Sequence, residues 1–174
     1  MGSSWAAFSD KGLLSFNTSN NRTNFLEEIK RSTDAELIEK PSMFHELSNW
    51  LIEYLQGKPV KYNGALDLRG TRFQKDVWRA VYEIPYGSLS SYAGLARRIG
   101  KPKAYRAAGN AVASNPIGLV IPCHRVIHSD GGIGGFGGGL DLKRILLALE
   151  GILPDSSKES EKRTDLKSYF AELY

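Results

Sequence analysis

Ile121-Pro122-Cys123-His124-Arg125-Val126 is the stretch on which the reading of this chain turns. It holds the only cysteine of the 174 residues, followed at once by a histidine and an arginine. An apolar run, Ile117 to Ile121, leads in, and a glycine-rich loop, Gly131 to Gly139, leads out. Cysteine attacks as the thiolate, and a nearby base or positive charge raises the thiolate fraction at neutral pH. Adjacent side chains of an extended segment point to opposite faces, so His124 need not touch Cys123 directly. One water between them suffices, with a carboxylate from elsewhere holding the imidazole. The alternative reading is a small buried hydrophobe, the usual state of a free cysteine.

Upstream of this stretch lie three helix patterns. Thr71 and Gln74 form a capping box, and Phe73, Val77, Trp78, Val81 and Ile84 make one apolar stripe. After the turn Pro85-Tyr86-Gly87, Ser90 or Ser91 caps a second helix with Leu95, Ala96 and Ile99 inward and Gly100 closing it. Pro102 suits the first position of a third helix running to about Ser114. Two helices joined by a short glycine-containing turn predict a helix-turn-helix. From Thr71 to Arg125 there are nine Lys and Arg against Asp76 and Glu83, a net +7, within a chain whose total is +4. That concentration favours attraction to phosphate over an ordinary solvated face. The third helix is rich in alanine and glycine, so few side chains reach base edges; it suits close packing or a close approach to a groove without sequence readout.

Further out, Asp10-Lys11-Gly12 separates two apolar runs and predicts a hairpin over residues 4 to 17. Phe25 to Ile29 suggests a short helix. Met43 to Gln56 suggests a longer one, with Phe44, Leu47, Leu51, Tyr54 and Leu55 on one face. Val60 to Leu68 reads as a strand returning to the hairpin. These make an N-terminal α+β unit over 1–66, with a mainly helical, helix-turn-helix-bearing domain over 67–153 and a mixed-charge tail over 154–174. Leu166 to Tyr174 is expected to form a docking helix.

The hydrophobic share of 41% and charged share of 24% are those of a globular protein, and no apolar run approaches the ~20 residues of a membrane helix. No membrane partner is therefore expected. The absence of a secretory pattern and the single cysteine fit a reducing cytoplasm, or a nucleoid or nuclear location. One cysteine excludes a cysteine-rich zinc site, and His45, His124 and His128 lack metal-ligand spacing. No metal is expected.

The Ile121–Val126 string resembles the active-site signature of the O6-alkylguanine-DNA alkyltransferases. So do Asp67-Leu68-Arg69-Gly70-Thr71 with Phe73-Gln74, Ile84-Pro85-Tyr86-Gly87, Ser91-Tyr92, Arg106-Ala107-Ala108-Gly109, Asn115-Pro116, and Gly138-Gly139-Leu140 through Leu147, Glu150 and Gly151. The match covers about residues 67 to 152 closely and residues 5 to 66 only loosely. It implies irreversible, single-use transfer of an alkyl group from O6 of guanine in double-stranded DNA to Cys123. O4 of thymine is a second candidate, and no cofactor is needed.

The same resemblance implies a base rotated out of a minor groove by a monomer and held in a pocket. Arg106 would fill the gap left in the stack, with Ala107 and Gly109 against the groove. Tyr92 would help rotate the nucleotide and donate a proton, and Asn115 would tie the recognition helix to the active-site segment. Glu150 would pair with His124 in a Glu-His-water-Cys relay. Val126, Phe136 and Gly137 would line the base, with the carbonyls of Cys123 and Val126 receiving its amine. Phe136 stands where members commonly carry tyrosine, keeping the stacking face without the hydroxyl. Arg125 is expected either against DNA or paired with a carboxylate. Two other classes stay open: a cysteine hydrolase or acyltransferase using Cys123, His124 and Glu150, and a non-catalytic binder of alkylated DNA, against which Cys123 itself argues.

Overall fold

Asp10 and Lys11 turn the chain between β1 (Trp5–Ser9) and β2 (Gly12–Asn17), which pair antiparallel as the alternation predicts. The computed structural model describes residues 4–18 and 21–152; the helix expected at 166–174 lies outside the described residues. The fold is α+β, and the described chain forms two compact units. The first runs to Arg69 and also takes in Pro116–Val120.

Within that first unit α1 (Arg22–Ser32) exceeds the expected helix, because Asn21 caps it by accepting from the Asn24 amide at 3.0 Å. Phe25 and Ile29, one turn apart, bury its inner face. α2 (His45–Leu55) buries Leu47, Trp50 and Tyr54. Trp50 was missing from the expected face; it stacks on Tyr54 with ring centres 5.5 Å apart and meets Tyr62 edge-on. The strand expected over Val60–Leu68 is corrected to a single parallel bridge, Leu13 to Leu66. Tyr62 folds back over the backbone at Gly64, where a Cβ would lie 2.3 Å from the tyrosine hydroxyl, and that bend ends the alternation. A second bridge joins Phe16 to Ile117, with the Phe16 amide donating to the Pro116 carbonyl at 2.9 Å. Between the two bridges Leu13–Phe16 are buried.

The second unit begins with the capping box, in which Thr71 and Gln74 satisfy each other's amides, and continues as α3 (Arg72–Tyr82) with Val77, Trp78, Ala80 and Val81 buried. Then follow β3 (Ser90–Ser91) and α4 (Tyr92–Arg98), whose cap is Ser91. Gly100, at φ 72°, makes the left-handed turn that ends this helix. The third helix does not start as an α-helix at Pro102: Pro102–Ala104 is a 3-10 turn, with the Ala104 amide bonded to the Lys101 carbonyl, and α5 (Tyr105–Ala113) follows. Its small residues Ala108 and Ala111, with Val112, pack on α3 and α4, and Trp78 Nε1 donates to the Ala111 carbonyl at 2.7 Å. β4 (Val126–Ile127) pairs parallel with β3, and α6 (Leu140–Leu149) completes the unit. No described helix is long and apolar enough to cross a membrane.

Candidate active site

Every residue of the expected site that the chemistry requires lies in the second unit. Cys123 opens a 3-10 turn, Cys123–Arg125, and its side chain is half-buried. That turn replaces the extended segment the sequence suggested, so alternation does not set the side-chain directions here. His124 and Arg125 both turn inward and are buried. His124 Nε2 lies 2.7 Å from Glu150 Oε1. A carboxylate accepts, so Nε2 carries the ring proton and Nδ1 is the atom able to act as base.

Glu150 accepts from three residues at once. Besides His124, it takes Arg125 Nη2 at 2.9 Å on Oε1 and Arg125 Nε at 2.8 Å on Oε2, with the Gly87 amide at 3.2 Å on Oε2. Arg125 spends its remaining nitrogen on the Ile84 carbonyl at 2.6 Å. The expectation of Arg125 as a DNA contact is therefore corrected: its buried guanidinium is committed to Glu150 and Ile84 and has no face for a phosphate. The carboxylate it was expected to pair with is the one that orients the histidine.

Tyr92 and Asn115 bring two further side chains to the thiol. The β3–β4 pair sets Ser91 beside Ile127, so Tyr92 begins α4 close to the Cys123 turn. Burial and the nearby Cys123 both push the Tyr92 phenol up, which keeps it protonated as a donor. Its ring meets His128 edge-on at 5.2 Å. A Cβ at Gly134 would stand 2.7 Å from the Tyr92 hydroxyl, and Gly134 has φ +70°, so only glycine fits this point of the loop. Gly109 of α5 also approaches the Tyr92 ring. Asn115 donates to the Ile121 carbonyl at 2.8 Å and hydrogen-bonds the Cys123 side chain.

Lys143 is the functional residue the sequence reading missed. It is fully buried, and its ammonium donates to the carbonyls of Val126 at 2.6 Å and Gly135 at 3.3 Å. Burial lowers its pKa to about 8 while the thiol nearby opposes that shift. The signal existed: Lys143 shares the inner face of α6 with Leu146 and Leu147, three and four residues on. Burial likewise pushes the Cys123 thiol up, opposed by Asn115, Lys143 and the backbone amides of residues 123 and 124. His124 is pushed down by burial against the pull of Glu150, so it rests neutral. A protonated thiol beside a neutral imidazole is a nucleophile stored and ready to be deprotonated on demand.

The remaining site residues surround this centre. Phe136 meets the His124 ring edge-on at 6.3 Å, and Val126 is fully buried. The Val126 carbonyl already accepts from Lys143 and keeps a second lone pair. Gly137 is exposed on the loop. Arg106 and Ala107 lie exposed on α5. Among the described residues no three His, Cys, Asp or Glu side chains gather as metal ligands.

Residues 72–152 match the family described as 6-O-methylguanine DNA methyltransferase, DNA binding domain. A methylated-DNA–protein-cysteine methyltransferase of Methanosarcina barkeri is 48% identical over 128 residues, covering 73% of this chain and 81% of its own. The protein of that name from Haemophilus influenzae is 51% identical over 127 residues, covering 72% and 68%. A crystal structure of Mycobacterium tuberculosis OGT in complex with DNA superposes with a TM-score of 0.72 at 36% identity, covering 86% of this chain and 88% of that one. The chain therefore belongs to the methylated-DNA–protein-cysteine methyltransferase family, which repairs DNA by moving an alkyl group onto a cysteine.

Proposed function

We propose that Cys123 accepts the alkyl group from O6 of a guanine turned out of double-stranded DNA, one group per protein molecule. The observation that carries this reading is the buried run Arg125–Glu150–His124 leading to the adjoining half-buried Cys123, with Tyr92 near that thiol and kept protonated. His124 Nδ1 takes the thiol proton through a water. The sulfur attacks the alkyl carbon, the carbon–O6 bond breaks, and its electron pair passes to the guanine. Tyr92 supplies a proton to the departing base, and the proton held by His124 returns to the tyrosinate through solvent. The product is a thioether with no easy reversal. Lys143 favours the thiolate by its charge, and Val126, Phe136 and Gly137 form the base pocket.

DNA is bound by α5 and the basic segment around it, acting as a monomer in the minor groove wherever the cell keeps its DNA. Small residues at Ala107, Gly109 and Ala113 allow close approach, and Arg106 occupies the space of the extruded base. The test is Cys123→Ser with a duplex carrying one O6-methylguanine. It is expected to bind within a few-fold of wild type and to transfer nothing, because a hydroxyl is far less nucleophilic at neutral pH. Residual stoichiometric transfer would remove Cys123 as acceptor. Turnover of an ester or amide by the wild type, with no transfer from the duplex, would favour the hydrolase.

A further inference from the structure

α5 opens with Tyr105 and Arg106, and both side chains are exposed. Tyr105 is 45% exposed, which leaves part of its ring open on the outer side of the helix. Its companions on the outer face, Ala107, Asn110 and Ala113, are small. Successive residues on a helix point in different directions and do not meet by default. These two do meet. The Arg106 guanidinium carbon lies 5.6 Å from the Tyr105 ring centre, over the ring. An arginine on a free surface samples many rotamers, and ordering it on arrival at DNA slows or weakens the step that needs it. A tyrosine has two side-chain torsions and is the cheaper group to fix.

We propose that Tyr105 is a positioning residue for Arg106, holding the guanidinium against its ring so that it enters the space left by the extruded base already ordered. This rests on the alkyl-transfer reading and on Arg106 as the gap filler. The contact acts only where a base must leave a duplex; the thiol cluster has no part in it.

The experiment compares single-turnover rate constants at saturating substrate, on a duplex with one O6-methylguanine and on free O6-benzylguanine. The proteins are wild type, Tyr105→Ala, Tyr105→Phe, Arg106→Ala and the double variant Tyr105→Ala with Arg106→Ala. Tyr105→Ala is expected to slow the duplex reaction on the order of three- to tenfold, with the free base within about twofold of wild type. Tyr105→Phe keeps the ring face and recovers most of the duplex rate. In the Arg106→Ala background, loss of Tyr105 changes the duplex rate by less than about twofold, since its partner is gone. Equal slowing in both backgrounds would make Tyr105 an independent DNA contact and overturn the proposal. So would equal slowing on the free base, a Phe variant as slow as Ala, or no slowing at all. If wild type takes no methyl from the duplex, the alkyl-transfer reading itself fails. If wild type transfers and Tyr105→Ala matches it, only the positioning role fails. An unchanged thermal midpoint excludes misfolding, as expected for an exposed residue.

Discussion

His124 Nε2 and Glu150 Oε1 lie 2.7 Å apart with both side chains wholly shielded from solvent. Such a pair costs desolvation on both sides and is held only when the remaining lone pairs are met. Arg125 and the Gly87 amide meet them. The carboxylate thus does two jobs with one set of bonds: it fixes the histidine tautomer and neutralises a buried arginine.

Glu150→Gln separates those jobs. The amide keeps the shape, but it removes the charge facing Arg125 and leaves that cation buried without compensation. A loss of roughly 3–5 kcal/mol is expected, read as a lower urea midpoint at unchanged slope. At a temperature where the variant is folded, transfer should be slower by about tenfold or more without being abolished, because the nucleophile remains. A wild-type single-turnover rate would remove the relay from the mechanism.

Arg125→Lys tests the correction of that residue's role. Lysine keeps the charge but not the planar fork that reaches both carboxylate oxygens and the Ile84 carbonyl. Stability is expected to fall while the salt dependence of binding to undamaged duplex stays the same. Were Arg125 a phosphate contact replaced poorly by lysine, the slope of log affinity against log salt would shrink by up to about one unit.

Lys143→Met probes a residue that costs stability where it sits. Its pKa falls from 10.5 to about 8, equivalent to about 3 kcal/mol of folding free energy below pH 8, a cost relieved as pH rises from 8 to 10.5. Methionine removes that cost and loses the bonds to Val126 and Gly135, so stability at pH 7 should hold or rise. The thiol, stripped of its neighbouring cation, should titrate at higher pH by absorbance of the thiolate, and transfer at pH 7 should slow. A destabilised variant with unchanged thiol titration would make Lys143 purely structural.

Which of these features the sequence discloses follows from their range. The Thr71–Gln74 capping box, the Ser91 cap and the Gly100 stop are local chemistry, and the helices start and end where those residues demand. The Cys123 segment was legible because its residue string is distinctive, and that string pointed to Glu150 from 27 residues away. What was not legible depends on long-range pairing. The β3–β4 pair is two residues long, too short for any alternation to declare it, yet it brings Tyr92 to the cysteine. Arg125 reads as one more base in a basic segment until Glu150 is seen between it and His124. Lys143 lies among residues that read as an ordinary amphipathic helix, and only its place on the buried stripe distinguishes it.

Acid should act through His124. Its folded pKa lies below the ordinary 6.5, so the unfolded chain binds the proton more readily. This group's contribution to stability is complete above about pH 6.5 and is lost as pH falls below that value toward the folded pKa. Thermal midpoints measured from pH 7.5 to 5 are expected to decline, and the decline should be shallower in His124→Gln. Identical profiles would mean that His124 does not titrate across unfolding.

On the proposed mechanism Cys123 keeps the alkyl group for good. Intact mass of the wild-type protein after mixing with a duplex carrying one O6-methylguanine, followed by peptide mapping, tests it most directly. A permanent gain of one methylene per chain, located on Cys123, is expected, with restored guanine in the DNA. Tight binding of that duplex with unchanged protein mass, or a gain located on any other residue, would contradict it.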